Sequence, residues 1–190
     1  MGIIELLLIA IGLSMDAFAV SVCKGLATQK LELKHYILAG LWFGGFQALM
    51  PTIGYFLGSA FEKYITSIDH WVAFILLTII GINMIKESFS NETEECDACF
   101  AVRTMLVMAI ATSIDALAVG ITFAFMIREV SHLIFAVCAI GVTTFLLSAL
   151  GIKIGNIFGT RYKSKAELAG GIILVLIGTK ILLEGIGVLA

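Results

Sequence analysis

Six long apolar stretches limit what this chain can fold into. Each holds about 20 mostly hydrophobic residues, which is the length that an α-helix needs to cross the roughly 30 Å hydrocarbon layer of a bilayer. The stretches are continuous rather than alternating, and this favours helices over the strands of a β-barrel. The sequence therefore predicts an all-α membrane protein with six transmembrane helices, at about residues 3–23, 36–57, 70–87, 103–127, 132–157 and 166–189.

The composition agrees with a chain whose surface faces lipid. Hydrophobic residues make up 60% of the 190 residues and charged residues 14%, whereas about 25% of a typical soluble domain is charged. A soluble fold of this length could not bury so much apolar surface. The net charge of −2 and the lack of a basic patch argue against nucleic acid as a partner. Membrane lipid is the partner that the composition indicates.

The second half of the sequence repeats the first. The segment GLSMDAFAVS at 12–21 aligns with ATSIDALAVG at 111–120, at an offset of 99 residues. GYFLGSAF at 54–61 aligns with GIKIGNIF at 151–158, and GINMIKE at 81–87 with GTKILLE at 178–184, both at an offset of 97. Because each half holds three spans, an odd number, the halves are predicted to cross the membrane in opposite orientations. Inverted repeats with a central site are a recurring plan of secondary transporters.

Lys and Arg predict the orientation of the bundle, since they concentrate in short cytoplasmic loops. Eight lie in the first, third and fifth connections and two in the second and fourth. Both termini are thus expected outside the cytoplasm. The eight are Lys24, Lys30, Lys34, Lys86, Arg103, Arg161, Lys163 and Lys165, and the two are Lys63 and Arg128. We interpret 1–190 as a single transmembrane domain, with repeat 1 at about 1–90, an acidic cytoplasmic connection at about 88–102 and repeat 2 at about 103–190.

Two acids lie inside predicted spans, Asp16 in the first and Asp115 in the fourth. An ionised group at the centre of a spanning helix costs roughly 2.5–3.5 kcal/mol on insertion scales, so such groups face a cavity or a partner and mark pathways. Small residues surround both acids on their helix faces, which allows another backbone to approach. We expect the two carboxylates to point into one crevice, where a divalent cation would balance both charges.

Neutral oxygen donors accompany the acids. Ser14 and Ser113 each precede their Asp by two residues, or about 200° around a regular helix. The hydroxyl can therefore join the carboxylate only if the helix is unwound; otherwise it bonds a carbonyl one turn back. Gln47 and Thr144 occupy equivalent places in the second and fifth spans. The set of oxygens suits Mg²⁺, Ca²⁺ or Mn²⁺.

Other candidates lie closer to the ends of the spans. Pro51, the one proline of the chain, either frees a backbone carbonyl that could bind a cation or only kinks its helix. Glu87 and Glu184 are equivalent in the repeat and could be entrance and exit groups of a pathway or interfacial anchors. The connection SNETEECDACF at 90–100 is acidic and holds Cys96 and Cys99; we interpret it as a tether, because a lone CxxC is a weak metal signal.

The chain resembles the MntP family of manganese efflux pumps, within the LysE-like transporter superfamily. The paired Asp segments, the GINMIKE and GTKILLE segments and the six spans carry the resemblance over the whole chain. It implies export of Mn²⁺ as substrate across a bacterial inner membrane, with Asp16 and Asp115 as functional acids and no cofactor. The residues alone predict a transporter of a divalent cation or polar solute; manganese and outward direction come from the resemblance. The CxxC connection is not part of the motif.

Three other functions are compatible with parts of the sequence. An exporter of amino acids or other small polar solutes would share the architecture. An intramembrane aspartyl protease also needs two acids, but here they occur in SMDA and SIDA rather than in GxGD. A thiol-redox conduit would need symmetric cysteines, yet the repeat mate of Cys23 is Thr122. We therefore predict a transporter rather than an enzyme, of undetermined oligomeric state.

Overall fold

A computed structural model describes residues 3–28, 30–65, 69–89, 100–127, 129–158 and 163–186. These residues form seven helices and no strand. The helices are α1 (Ile3–Ala27), α2 (Leu33–Ile65), α3 (Asp69–Phe89), α4 (Val102–Ala111), α5 (Ile114–Met126), α6 (Val130–Phe158) and α7 (Lys163–Gly185). The all-helical prediction is confirmed, and a helix lies at each predicted span.

The fourth predicted span is broken. It consists of α4 and α5, which are separated at Thr112 and Ser113 and bent by 45°. Within the described residues, three helical segments are long and apolar enough to cross a bilayer, namely Ile3–Ala27, Leu33–Ala60 and Val130–Phe158, and the bent pair would make a fourth. Phe74–Lys86 in α3 is a shorter apolar helix. Six spans therefore remain a prediction, while a multi-pass membrane protein is established.

The outer surface of the bundle is apolar, and a few polar side chains lie in an otherwise hydrophobic interior. Large hydrophobic side chains cover the outside, for example Ile4 and Phe56, which are 74% and 66% exposed. In contrast, Ser14, Gln47 and Thr144 are completely buried. Contiguous exposed apolar surface of this kind is what lipid covers, and the few buried polar side chains mark the place for a site.

The helices pack in two parallel and three antiparallel pairs. Along α1 and α6 the contacts advance together, from Phe18 against Gly151 to Val22 against Gly155, so these helices run in the same direction. α2 and α5 are parallel in the same way. The pairs α3–α7, α2–α6 and α1–α7 are antiparallel; in α2–α6, for instance, Gly40 lies against Phe145 and Ala48 against Gly141.

Close glycine contacts recur at the offsets of the sequence repeat. In each case the absence of a side chain on glycine lets a backbone on the facing helix approach within van der Waals distance. The same contact is found again when 97 or 99 is added to the residue number in the first half and subtracted from the residue number in the second half. The related pairs are Gly54 on Leu117 with Gly151 on Phe18, Gly58 on Ile121 with Gly155 on Val22, and Gly81 on Gly171 with Gly178 on Phe74.

These contacts predict which glycines tolerate a methyl group. A Cβ at Gly155 would overlap the Val22 carbonyl oxygen, whereas a Cβ at Gly45 meets nothing within 4 Å. We expect Gly155→Ala to lower the free energy of unfolding by about 1–3 kcal/mol through overpacking. Gly45→Ala should be neutral or stabilise by up to about 1 kcal/mol, because alanine favours helix. Thermal unfolding in detergent checks both, and equal effects of the two substitutions would contradict the packing described.

Candidate cation site

Hydroxyl groups of α1 and α6 meet in the interior of the bundle, two residues before the first acid in sequence. The Ser14 and Thr144 side-chain oxygens lie 2.7 Å apart, and both residues are completely buried. Each hydroxyl also has a carbonyl one turn back within reach, at 2.6 Å for Ser14 to Ala10 and 2.9 Å for Thr144 to Ile140. A hydroxyl has one proton, so only one of the two can donate to the other at a time. The pair joins the two halves of the chain in the interior.

Gln47 of α2 packs against the same turn of α1. Its Nε2 donates to the Leu13 carbonyl oxygen at 2.9 Å, and this bond fixes which end of the amide faces α1. Its Oε1 is buried and has no hydrogen-bond partner among the described residues. The side chain lies next to the Asp115 carboxylate. A buried acceptor without a donor is the kind of group that a cation or an ordered water satisfies.

Asp115 lies in the first turn of α5, directly after the break. In an unbroken helix the Ala116 N–H would be donated to the Thr112 carbonyl, but here it is donated to Oδ1 of Asp115 at 2.7 Å. The positive end of the α5 dipole favours a negative charge at this place. Oδ2 of Asp115 is buried and has no hydrogen-bond partner among the described residues. Thus Oδ1 of the carboxylate accepts a hydrogen bond, and Oδ2 is available to bind another group.

Asp16 faces the same interior from an unbroken helix. It lies in the middle of α1 and is half-buried, as Asp115 is. The two carboxylates are close enough to interact electrostatically. The structure therefore brings together both acids and Gln47, while Ser14 contacts Thr144 and the Ala10 carbonyl.

The donor set limits which metals the site could hold. No cluster of three or more His, Cys, Asp or Glu side chains with metal-binding geometry occurs in the described part of the chain. Coordination here would rest on two carboxylates with neutral amide, hydroxyl or carbonyl oxygens. Such an all-oxygen set suits hard divalent cations such as Mg²⁺, Ca²⁺ and Mn²⁺.

The serine hydroxyls bond carbonyls one turn back, as one of the two alternatives predicted. Ser14 bonds Ala10, and Ser113 bonds Ala109 at 2.6 Å and Ile110 at 3.2 Å. The other alternative required an unwound helix, and the helix is unwound in the second half only. Pro51 packs with its backbone against α5, where a Cβ at Gly120 would overlap its carbonyl oxygen.

Glu184, one of the two predicted glutamates, is not part of this cluster. The Glu184 side chain is exposed, and its Oε1 lies 3.4 Å from the Nζ of Lys180. Lys180 also forms an ion pair with Glu5. The entrance or exit role of Glu184 stays a prediction. The side chain of Glu87 and the Cys96–Cys99 connection lie outside the described residues.

Two features were not predicted from the sequence. One is the break at Thr112 and Ser113, where the sequence has no glycine or proline that would predict an interrupted helix. The other is Lys24, which the sequence analysis used only to orient the bundle. Its side chain is 1% exposed, and its Nζ lies 5.0 Å from the centre of the Phe100 ring. The position of Lys24 among small residues in the last turn of α1 was the available signal.

Comparison with known sequences identifies the family. A family profile described as "Putative manganese efflux pump", MntP, matches residues 30–182. The chain belongs to this family. Proteins with the same description are 59% identical over 100% of this chain and 98% of theirs in Desulfitobacterium hafniense, and 57% over 100% and 95% in Acetivibrio thermocellus. In Campylobacter jejuni the identity is 55% over 97% of each. No solved structure matches the chain. The MntP profile includes α2 and α5, and the relatives align over both Asp segments.

The hydroxyl pair of this MntP chain gives a test of the interior contacts. Ser14→Ala and Thr144→Val should each reduce the free energy of unfolding by roughly 0.5–1.5 kcal/mol, because each removes a buried hydrogen bond. The double variant should lose less than the sum, since both substitutions remove the same contact. Ser59→Ala, which affects an exposed hydroxyl bonded within its own helix, serves as control. Strict additivity would contradict the contact.

Proposed function

We propose that the chain exports Mn²⁺ across the bacterial inner membrane, and that Asp16 and Asp115 bind the ion. The observation that carries the proposal is the meeting of these two acids with Gln47 inside a bundle whose outside is apolar. The printed descriptions of the relatives name manganese and efflux, and the all-oxygen donor set is compatible with Mn²⁺. Mn²⁺ is the substrate, and the transport reaction needs no resident cofactor.

The packing supports a six-span inverted repeat. α1 and α6 are parallel, α2 and α5 are parallel, and the remaining major pairs are antiparallel. Six successive crossings, with α4 and α5 as one, would produce these relative directions. The glycine contacts that recur at the repeat offsets are those of two halves related by a two-fold axis. In an inverted repeat that axis lies in the membrane plane, and the site lies where the halves meet.

The charge distribution supports the proposed orientation of the bundle, and the direction of transport is inferred from that orientation. Lys and Arg favour cytoplasmic placement of the connections after α1, α3 and α6, with both termini outside. Alternating access would then open the site first to the cytoplasm and afterwards to the outside. The predicted acidic connection would lie at the cytoplasmic entrance.

Charge balance suggests how the ion is exchanged. Two adjacent ionised carboxylates in a medium of low dielectric repel each other, and each is costly without compensation. One divalent cation neutralises both. After the ion leaves, protons can take its place on the carboxylates, so exchange of Mn²⁺ for protons follows from the same two side chains. Gln47 contributes a neutral oxygen that replaces water of hydration.

Substitution of the acids tests this function. Asp16→Asn and Asp115→Asn keep the side-chain volume but remove one charge each, so each should abolish Mn²⁺ flux into inside-out proteoliposomes. Glu129→Gln is a matched control, because it removes the charge of an exposed glutamate near His132. A pH dye inside the vesicles reports proton exchange. Full flux in either Asp variant, or flux of an amino acid without any metal, would overturn the proposal.

A further inference from the structure

The two-fold relation between the halves fails at one turn. In the second half the helix is interrupted at Thr112 and Ser113, and the axes on either side differ by 45°. The equivalent residues of the first half, 99 positions earlier, are Leu13 and Ser14, where α1 continues without interruption. The asymmetric turn lies inside the repeated Asp segment, just before the acid, in each half. The difference between the halves is therefore located at the candidate cation site.

Local helix propensity does not account for this difference. Gly12, a poor helix former, lies in the unbroken helix, whereas the better helix former Ala111 lies at the equivalent position beside the break. Thr112 is a weaker helix former than its mate Leu13, so the two preferences oppose each other. Both turns can thus be helical or broken at similar local cost. The surrounding contacts decide which turn is broken.

Side chains of α2 and α6 form hydrogen bonds with the intact turn of the first half. Gln47 donates to the carbonyl of Leu13 in the intact turn at 2.9 Å. Thr144, the repeat mate of Gln47, lies 2.7 Å from the Ser14 hydroxyl of the same turn. Both side chains therefore bond the intact turn of the first half. In the broken turn, the Ala116 N–H has moved to the Asp115 carboxylate.

We propose that the break moves from one half to the other during transport. In the opposite state α1 is broken at Leu13 and Ser14, and α4 and α5 form one helix. The two-fold relation then specifies new partners: Thr144 bonds the Thr112 carbonyl, and Gln47 bonds the Ser113 hydroxyl. Gln47 is accordingly a positioning residue that holds the first turn intact in the present state. This inference rests on the proposed transport function.

The exchange also alternates the environment of the acids. Asp115 now lies at the N-terminus of a helix, where the dipole favours its charge, and Asp16 lies within a helix. After the exchange Asp16 occupies the helix N-terminus and Asp115 the helix interior. A cation between the two acids would be bound more strongly by one acid in the first state and by the other acid in the second state. Opening on alternate sides of the membrane is thereby coupled to the same pair of turns.

Matched pairs of spin labels can follow the two turns. One pair at Ile4 and Leu26 spans the turn of α1, and the other at Arg103 and Phe125 spans the break at the equivalent positions. Each pair is separated by 22 residues, or roughly 33 Å in a straight helix, and a 45° bend shortens it by roughly 2–3 Å. Double electron–electron resonance would be recorded in a cysteine-free background that retains flux, with EDTA and with a non-paramagnetic divalent ion, Cd²⁺ or Mg²⁺, that the flux assay shows to be transported.

We expect each pair to show a long and a short distance, with opposite changes in population. A condition that shortens the distance between the labels on α1 should lengthen the distance between the labels at Arg103 and Phe125. Ser14→Ala removes the hydroxyl that Thr144 contacts in the present state only, so it should raise the short population of the α1 pair at least twofold, while circular dichroism shows unchanged helix content. A break that stays in the second half under all conditions that support flux would overturn the inference and leave the transport function intact. Absence of metal flux with the distances still exchanging would overturn the function instead.

Discussion

Repulsion between two carboxylates in the apolar interior is the constraint on which the site depends. Asp16 and Asp115 interact electrostatically within a bundle whose outer surface is hydrophobic. Two carboxylates held this close repel each other more strongly in a medium of low dielectric than at a protein surface. The pair therefore requires a compensating positive charge, either a divalent cation or protons. A carrier that exchanges one for the other satisfies the requirement in every state of its cycle.

Tight packing brings the acids together. Glycines at Gly54, Gly58, Gly151 and Gly155 allow α2 to approach α5 and α6 to approach α1 at backbone contact. These contacts place Gln47 beside Asp115 and Thr144 beside Ser14. Because the same contacts recur in both halves, the interior is built twice from one pattern. The neutral oxygens then differ between the halves, since one has an amide where the other has a hydroxyl.

Much of this arrangement could be predicted from the sequence. The apolar runs predicted a helix at every position where one is found, and the repeated Asp segments predicted that the acids face one interior. The break at Thr112 and Ser113 could not be predicted, because the equivalent turn with Gly12 is the unbroken one and tertiary contacts override local propensity there. The burial of Lys24 was missed for a related reason: a charge near a helix end is usually solvated, and here tertiary packing that includes Phe100 buries it.

Direct measurement of Mn²⁺ binding tests the central claim most closely. Titration of the purified protein in detergent, followed by the electron paramagnetic resonance of free Mn²⁺, gives the number of bound ions and their competition with protons. One ion per chain should bind, binding should weaken as pH falls, and Asp16→Asn and Asp115→Asn should each abolish it. Unchanged binding in both variants would contradict a site made by the two acids.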